Sequence, residues 1–418
     1  MSDRRRVVVT GLGLITPVGL SVEETWEALL AGRSGGAPIT QFDASDQSVR
    51  FACEVKGFDP ELYMDRKEVR RADRFLQLAL GAAQQAVEQA GGASIAESVP
   101  AERFGVIVGT GIGGLTTMET QHAKMLEQGP GRVSPFFIPM FIGDMSAGMI
   151  SMKYGARGPN YSTMSACASS GHAVGAAFRS IRTGETDVMI TGGSEATVTP
   201  LCIAGFASMK ALSQRNDSPA TASRPFDLTR DGFVLGEGAG ILVLEAEEHA
   251  VARGATILGE LAGFGQSADA YHITSPAPEG AGAQIAMRLA LKDAGIQATD
   301  VDYINAHGTS TPANDAAETT AIKAVLGDRA REIIVGSTKS MTGHTLGAAG
   351  AIEAAVSLLV CARGVIPPTI NYETPDPECD LDCGAGGPTR TSVRTALSNS
   401  FGFGGHNVTL AVRTWEAA

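Results

Sequence analysis

The sequence predicts a layered α/β fold with mostly parallel, buried strands. Short β-rich apolar runs alternate with Ala-rich helical segments along nearly the whole chain, the pattern of strand–helix units. Three of the helical segments end where Gly295, Gly327 and Gly364 follow, as a left-handed cap prefers. Hydrophobic residues make up 44% and charged residues 19% of 418, a composition and length that support two or three cores. Candidate strands cover 6–10, 104–109, 188–192, 241–245, 301–306, 333–337 and 395–400. Candidate helices cover 75–90, 168–183, 282–294, 312–326 and 348–363. In the first helix Phe75, Leu76, Leu80, Ala83 and Val87 form one apolar stripe. The stretch from Pro367 to Pro388 is turn-rich and reads as a surface excursion.

The formal charge is −12 with a pI near 5.1, which argues against a general nucleic-acid binder. Six cysteines without a CxxC pair read as reduced thiols of a cytosolic protein. Arg4-Arg5-Arg6 before an apolar run imitates a signal peptide. Thr10, Gly11, Gly13, Thr16 and Pro17 break that run, so strand followed by turn is the better reading. No stretch of about 18 unbroken apolar residues exists, so a membrane span is not expected.

Three stretches combine residues that carry chemistry. Ser162 to Gly171 places Cys167 among tiny side chains where an Ala-rich helix begins. A helix start favours thiolate over thiol, although a lone cysteine is more often a small buried residue. His307 in Asn305-Ala306-His307-Gly308-Thr309-Ser310-Thr311 and His344 in Lys339-Ser340-Met341-Thr342-Gly343-His344 each follow a strand directly. Any one histidine is usually structural; two in matching strand-end turns, downstream of a candidate nucleophile, shift the balance. Metal ligation is the weaker reading, because no two of these residues have ligand spacing along the chain. Phe401-Gly402-Phe403-Gly404-Gly405-His406 is a glycine-rich strand exit where backbone can approach a ligand. Gly109-x-Gly111-x-x-Gly114 formally matches the dinucleotide fingerprint, but Thr116 and Thr117 start a helix poorly and no strand-end acid follows. Arg66, Arg70 and Arg74 recur at helical spacing in an otherwise acidic chain, so an anionic partner could dock there.

Together these motifs resemble the condensing enzymes of fatty-acid synthesis, the β-ketoacyl-acyl-carrier-protein synthases, most closely their bacterial type II branch. The resemblance covers practically the whole chain. It implies the thiolase fold, five αβαβα layers built from two related halves (here 1–257 and 258–418), working as a cytoplasmic homodimer without a redox or metal cofactor. It implies that Cys167 takes the acyl group, that His307 and His344 stabilise the enolate of decarboxylating malonyl-carrier protein, and that Lys339 holds a charge network with Glu353 and Glu318. Backbone N–H groups of Cys167 and Phe403 would form the oxyanion hole. Ile112, Phe401 and Phe403 would shape and gate the acyl pocket, with Thr274, Ser275, Thr309 and Thr311 contacting pantetheine. Acyl carrier protein would dock on Arg66, Lys67, Arg70, Arg71, Arg132 and Lys210. His406 stands where many members have Thr. A type II polyketide ketosynthase shares all these motifs. A thiolase needs a second cysteine, a chain-length factor lacks the nucleophile, the Cys-His-Asn branch lacks the second His, and an NAD-dependent oxidoreductase has only the weak glycine match.

Overall fold

The computed structural model describes residues 5–417, which leaves Arg4 outside the described residues. Ten strands form the main sheet: β1 (Val7–Ile15), β2 (Phe104–Gly109), β3 (Asn160–Tyr161), β4 (Val188–Glu195), β5 (Gly238–Ala246), β6 (Gly259–Ala268), β7 (Tyr303–Asn305), β8 (Ile334–Gly336), β9 (Thr395–Gly402) and β10 (His406–Arg413). Their spatial order is β8-β7-β9-β10-β6-β1-β5-β4-β2-β3. Each run of five therefore repeats one order, third-second-fourth-fifth-first. The two runs meet where Val7, Val8 and Val9 pair with Leu261, Glu260 and Gly259.

The expectation of mostly parallel strands is corrected. Only the pairs β3–β2, β2–β4, β8–β7 and β7–β9 are parallel; the five pairs through the middle are antiparallel. The glycine-rich exit is a hairpin turn in which Gly402 opposes His406, with Gly404 and Gly405 at φ 85° and 74°. A three-residue connection can join only antiparallel neighbours.

Five helices make the other layers: α1 (Arg74–Gln89), α2 (Ser169–Arg182), α3 (Ala281–Ala294), α4 (Pro312–Leu326) and α5 (Ala349–Arg363). The α1 helix covers β1, β5 and β4 from outside, α3 covers β6 and β10 with α4 beside it, and α2 and α5 pack on each other while touching both strand sets. The order is α/β/α/β/α. The apolar segment Leu346–Arg363 is long and apolar enough to cross a membrane by composition, but 89% of it is buried in this central layer.

Glycines let the outer helices sit directly on the first strand of each half. A Cβ on Gly11 or Gly13 of β1 would lie 2.0 or 1.9 Å from the carbonyl oxygens of Ala86 and Ala82 in α1. Gly263 and Gly265 of β6 meet Ala290 and Ala286 of α3 the same way, at 2.5 and 1.9 Å. Gly11-x-Gly13 is thus a packing device, and the glycines of β6 hide a strand from propensity reasoning.

Two further readings change. Gly295 and Gly364 are left-handed caps, whereas Gly327 has φ 59° with ψ −134° and leads into a 3₁₀ turn. The stretch from Pro367 to Pro388 is irregular and a surface excursion only in part: residues 373–375 and 385–386 are exposed, whereas Cys379, Leu381 and Cys383 anchor it in the core of the C-terminal half.

Gly13→Ala and Gly265→Ala should each cost about 2–4 kcal/mol, because backbone rather than a flexible side chain blocks the new methyl. Gly131, whose Cβ would meet nothing within 4 Å, should tolerate alanine within about 0.5 kcal/mol. Thermal unfolding of the three variants checks this.

Candidate active site

Cys167 stands two residues before α2, on a tight elbow. Ala166 carries φ 51°, a strained value for a residue with a side chain. Ser169 locks the elbow by accepting from Ser165 N at 2.9 Å and donating to Ala166 O at 2.7 Å. The thiol is 8% exposed and 3.0 Å from His344 Nε2. His344 is stapled in place by its own backbone: its N–H donates to Val234 O at 2.7 Å and its carbonyl accepts from Gly236 N at 2.9 Å. His307 stands edge-on to His344, ring centroids 5.3 Å apart. The three segments therefore converge, with the Cys167, His307 and His344 donor atoms all within 4.8 Å of one another. Distance along the chain, the ground for discounting metal, does not separate them in space.

Lys339 is 1% exposed and bound to Glu353. Glu318, expected beside Lys339, instead braces the other histidine. It accepts from the backbone N–H of His307 and Gly308, both at 2.8 Å, and from Asn399 Nδ2 at 3.1 Å. The carboxylate thus orients a turn rather than sharing the lysine's charge.

Burial governs the protonation states. It drives both imidazoles well below the usual histidine range, and the nearby Lys339 charge pushes the same way. Both rings are therefore neutral at pH 7. Burial also lifts Glu353 to about 7 against the pull of Lys339. The expected thiolate is not the resting form: burial pushes the Cys167 thiol up to about 12, outweighing Lys339 and the backbone N–H groups of Phe403 and Cys167. Those two N–H groups lie near enough to the sulfur to favour its charged form.

A cavity of about 430 Å³ opens at Cys167. Ile112, Phe401, Phe403, Thr274, Ser275, Thr309, Thr311 and Lys210 all line it, together with both histidines. Thr309 and Thr311 share a hydroxyl hydrogen bond of 2.9 Å, and Thr274 and Ser275 both donate backbone N–H to His272 Nδ1 at 3.1 Å. Among the described residues, Cys167 is the one cysteine on this wall, and Cys379 and Cys383 lie in a separate core. Sequence reasoning missed Asp269 and Asn407. Asn407 Nδ2 donates to Asp269 at 2.7 Å, and Asp269 N donates to Gly405 O at 2.9 Å, tying the hairpin turn to the 269–277 loop. Asn407 closes the glycine-rich motif at the strand exit, where no role is read for it, and no motif marks Asp269.

The glycine fingerprint has a different explanation from the one expected. A helix does follow it, Leu115–Gln128, but its N–H groups already hold an anion. Gly111, Ile112 and Gly113 donate to the buried carboxylate of Glu195, so no room is left for a pyrophosphate.

The basic segment also differs in part. The helix is short, Arg66–Val69, and Asp65 and Glu68 cap it reciprocally, so its acids are spent on the backbone. Arg66 pairs with Glu61 at 3.7 Å, and Arg71 covers the Phe136 ring at 4.2 Å. Lys67, Arg70, Arg132 and Lys210 are exposed. Arg74 leaves this face, turning inward to hold Glu237 at 2.8 Å.

A layered α/β fold with a buried Cys-His-His set at one cavity defines a class of acyl-transferring condensing enzymes. Residues 4–250 match the family model "Beta-ketoacyl synthase, N-terminal domain" and 258–373 match "Beta-ketoacyl synthase, C-terminal domain"; the chain belongs to the beta-ketoacyl synthase family. It is 54% identical over 414 residues to 3-oxoacyl-[acyl-carrier-protein] synthase 2 of Synechocystis sp., covering 99% of both chains. It is 51% identical over 417 residues to the protein of that name in Staphylococcus aureus, covering 100% of both. Among solved structures, a type II polyketide ketosynthase bound to its acyl-carrier protein and a hexaketide superposes with TM-score 0.92 at 37% identity, covering 99% of this chain and 100% of that one.

With a neutral resting thiol, alkylation of Cys167 by iodoacetamide should climb about tenfold per pH unit from about pH 7 to 9. It should precede alkylation of the other five cysteines, through access rather than charge. Site-resolved mass spectrometry measures both; a flat pH profile would reveal a thiolate.

Proposed function

We propose that this chain is a 3-oxoacyl-[acyl-carrier-protein] synthase of fatty-acid elongation, and that Cys167, His307 and His344 carry the reaction. The observation that supports it most is the 3.0 Å contact between the Cys167 thiol and His344, inside the cavity that His307 also lines. Cys167 attacks the thioester of acyl-carrier protein: the new bond is Sγ–acyl, the bond between the acyl carbon and the pantetheine sulfur breaks, and the thiol proton passes through His344 to the leaving sulfur. The N–H groups of Cys167 and Phe403 hold the tetrahedral oxyanion. Malonyl-carrier protein then loses CO₂, and the electron pair of the broken C–C bond becomes an enolate whose oxygen accepts from the two neutral imidazoles. Its carbon attacks the Cys167 thioester, the Sγ–acyl bond breaks to give 3-oxoacyl-carrier protein, and the expelled sulfur takes up one proton from solvent to return to its thiol. A neutral ring donates one N–H without bringing a full charge into the site, which suits an enolate formed in low dielectric. Burial keeps both imidazoles unprotonated, and the charge of Lys339, held by Glu353, adds to it. Glu318 positions His307.

Ile112, Phe401 and Phe403 form the acyl wall in this reading, and Thr274, Ser275, Thr309 and Thr311 the pantetheine channel. The acidic carrier protein docks on Arg66, Lys67, Arg70, Arg71, Arg132 and Lys210, the last at the cavity mouth. We divide the chain after residue 257, each half supplying one five-strand set. Homodimerisation is supported by β3, an edge strand with Tyr161 45% and nearby Met164 59% exposed, which leaves apolar surface to cover. Six unpaired cysteines agree with a cytoplasmic setting. Polyketide synthesis is the second reading, favoured by the hexaketide-bound neighbour; the higher identity to fatty-acid synthases over the full length favours elongation.

Purified protein mixed with malonyl-carrier protein and a ladder of acyl-carrier proteins should yield 3-oxoacyl products two carbons longer, read by mass. Absence of product with every primer would remove this function. Arg70→Glu with Arg71→Glu should raise KM for acyl-carrier protein about tenfold at low salt and leave kcat within about twofold. A KM that ignores both the substitutions and salt would remove the docking face.

A further inference from the structure

Glu195 is the last residue of β4, at the strand end where the cavity lies, and its side chain is fully buried. It faces five donors from two other segments. Oε2 accepts from Gly111 N at 2.6 Å and from Gly347 N at 3.0 Å. Oε1 accepts from Thr110 Oγ1 at 3.0 Å, Ile112 N at 3.2 Å and Gly113 N at 3.4 Å. The fit leaves no space: a Cβ on Gly111 would lie 2.6 Å from Glu195 Oε2, and one on Gly347 would lie 2.1 Å from Gly111 N.

Those two segments carry cavity wall. Ile112 and Leu346, the neighbour of Gly347, line the cavity with Cys167 and pack in the same apolar cluster. Leu346 has φ 46°, a left-handed value that a bulky residue keeps only when its surroundings enforce it. The N–H that follows it is one of the five donors. Burial pushes the Glu195 carboxyl up while Gly111, Gly347 and Thr110 pull it down. Four of the five partners are backbone N–H groups that can only donate, a set that matches the accepting oxygens of a carboxylate, and the Thr110 hydroxyl completes it.

We propose that Glu195 is a positioning residue for acyl-chain selection: one carboxylate holds Ile112 and Leu346 at a fixed separation and so sets the wall that measures the chain carried by Cys167. The inference rests on reading the cavity as the acyl site. Glutamine cannot replace the carboxylate, because an amide has one accepting oxygen and an NH₂ group. In Glu195→Gln the NH₂ faces either Gly111 N and Gly347 N, in the Oε2 place, or Ile112 N and Gly113 N, in the Oε1 place, so either orientation sets donor against donor and loosens the wall. Thr110→Val keeps the shape and removes a single donor.

The test uses the full chain and a series of N-alkyl iodoacetamides (butyl, octyl, dodecyl), with Cys167 alkylation rates read by mass spectrometry beside melting temperatures. The wild-type rate should depend on alkyl length. In Glu195→Gln the dodecyl-to-butyl ratio should change about tenfold, while alkylation by plain iodoacetamide changes less than about threefold. Thr110→Val should shift the ratio the same way by a smaller factor. A folded Glu195→Gln variant with the wild-type length profile overturns the proposal, as does a wild-type rate independent of length. Should Glu195→Gln fail to fold, Thr110→Val decides: an unchanged profile overturns the proposal and a shifted one supports it. Alkylation needs neither malonyl donor nor carrier protein. A wild-type enzyme that makes no 3-oxoacyl product, yet shows the shifted profile in the variants, would remove the condensation reading and leave this one standing.

Discussion

Loss of water around Cys167 is the constraint on which the rest of the site depends. In a dry interior every charge must be matched and every donor placed. Lys339 is matched by Glu353, Glu318 by the N–H groups of the His307 turn, and Glu195 by five donors. The three groups proposed to do the chemistry are the ones left neutral. Charge then appears only when the reaction makes it, beside backbone N–H groups and imidazoles that are already in position, which is how a preorganised site lowers a barrier.

The duplicated strand order explains how residues so far apart come together. Both halves place their parallel strands at the outside and their first and fifth strands toward the shared middle, and α2 and α5 pack between the two sets. Cys167 opens α2, from the first half. His307 follows β7 directly, whereas His344, read in the sequence as directly after a strand, is reached from β8 through a short helix over Lys339–Thr342; both come from the second. The site belongs to the contact between halves, so neither half holds it alone. The same duplication appears in the packing, where Gly11 and Gly13 admit α1 as Gly263 and Gly265 admit α3.

Much of this was legible in the sequence, for identifiable reasons. His307 and His344 advertised themselves by sitting in glycine- and threonine-rich turns after apolar runs, and Cys167 by its tiny neighbours. Seven of the ten strands and all five main helices showed as patterns. Strand direction did not show, because a run of apolar residues looks the same in either sense. The β6 strand was hidden by Gly259, Gly263 and Gly265, whose purpose lies in a helix that sequence cannot place. Cys167 appeared as a thiolate because helix-start reasoning sees the dipole and not the depth of burial. Glu195 carried no signal at all, since four of its five partners are main-chain groups, which every residue has.

The turn at Phe403 has one more consequence. Phe403 lines the cavity and its backbone N–H acts on the Cys167 thiol, while only Gly404 and Gly405 separate it from the next strand. A movement of this short turn would shift cavity wall and amide together. In the proposed reaction, room for cargo and support for negative oxygen would then depend on one turn. Such a coupling would also shield a stored thioester from stray hydrolysis during the wait for the second substrate.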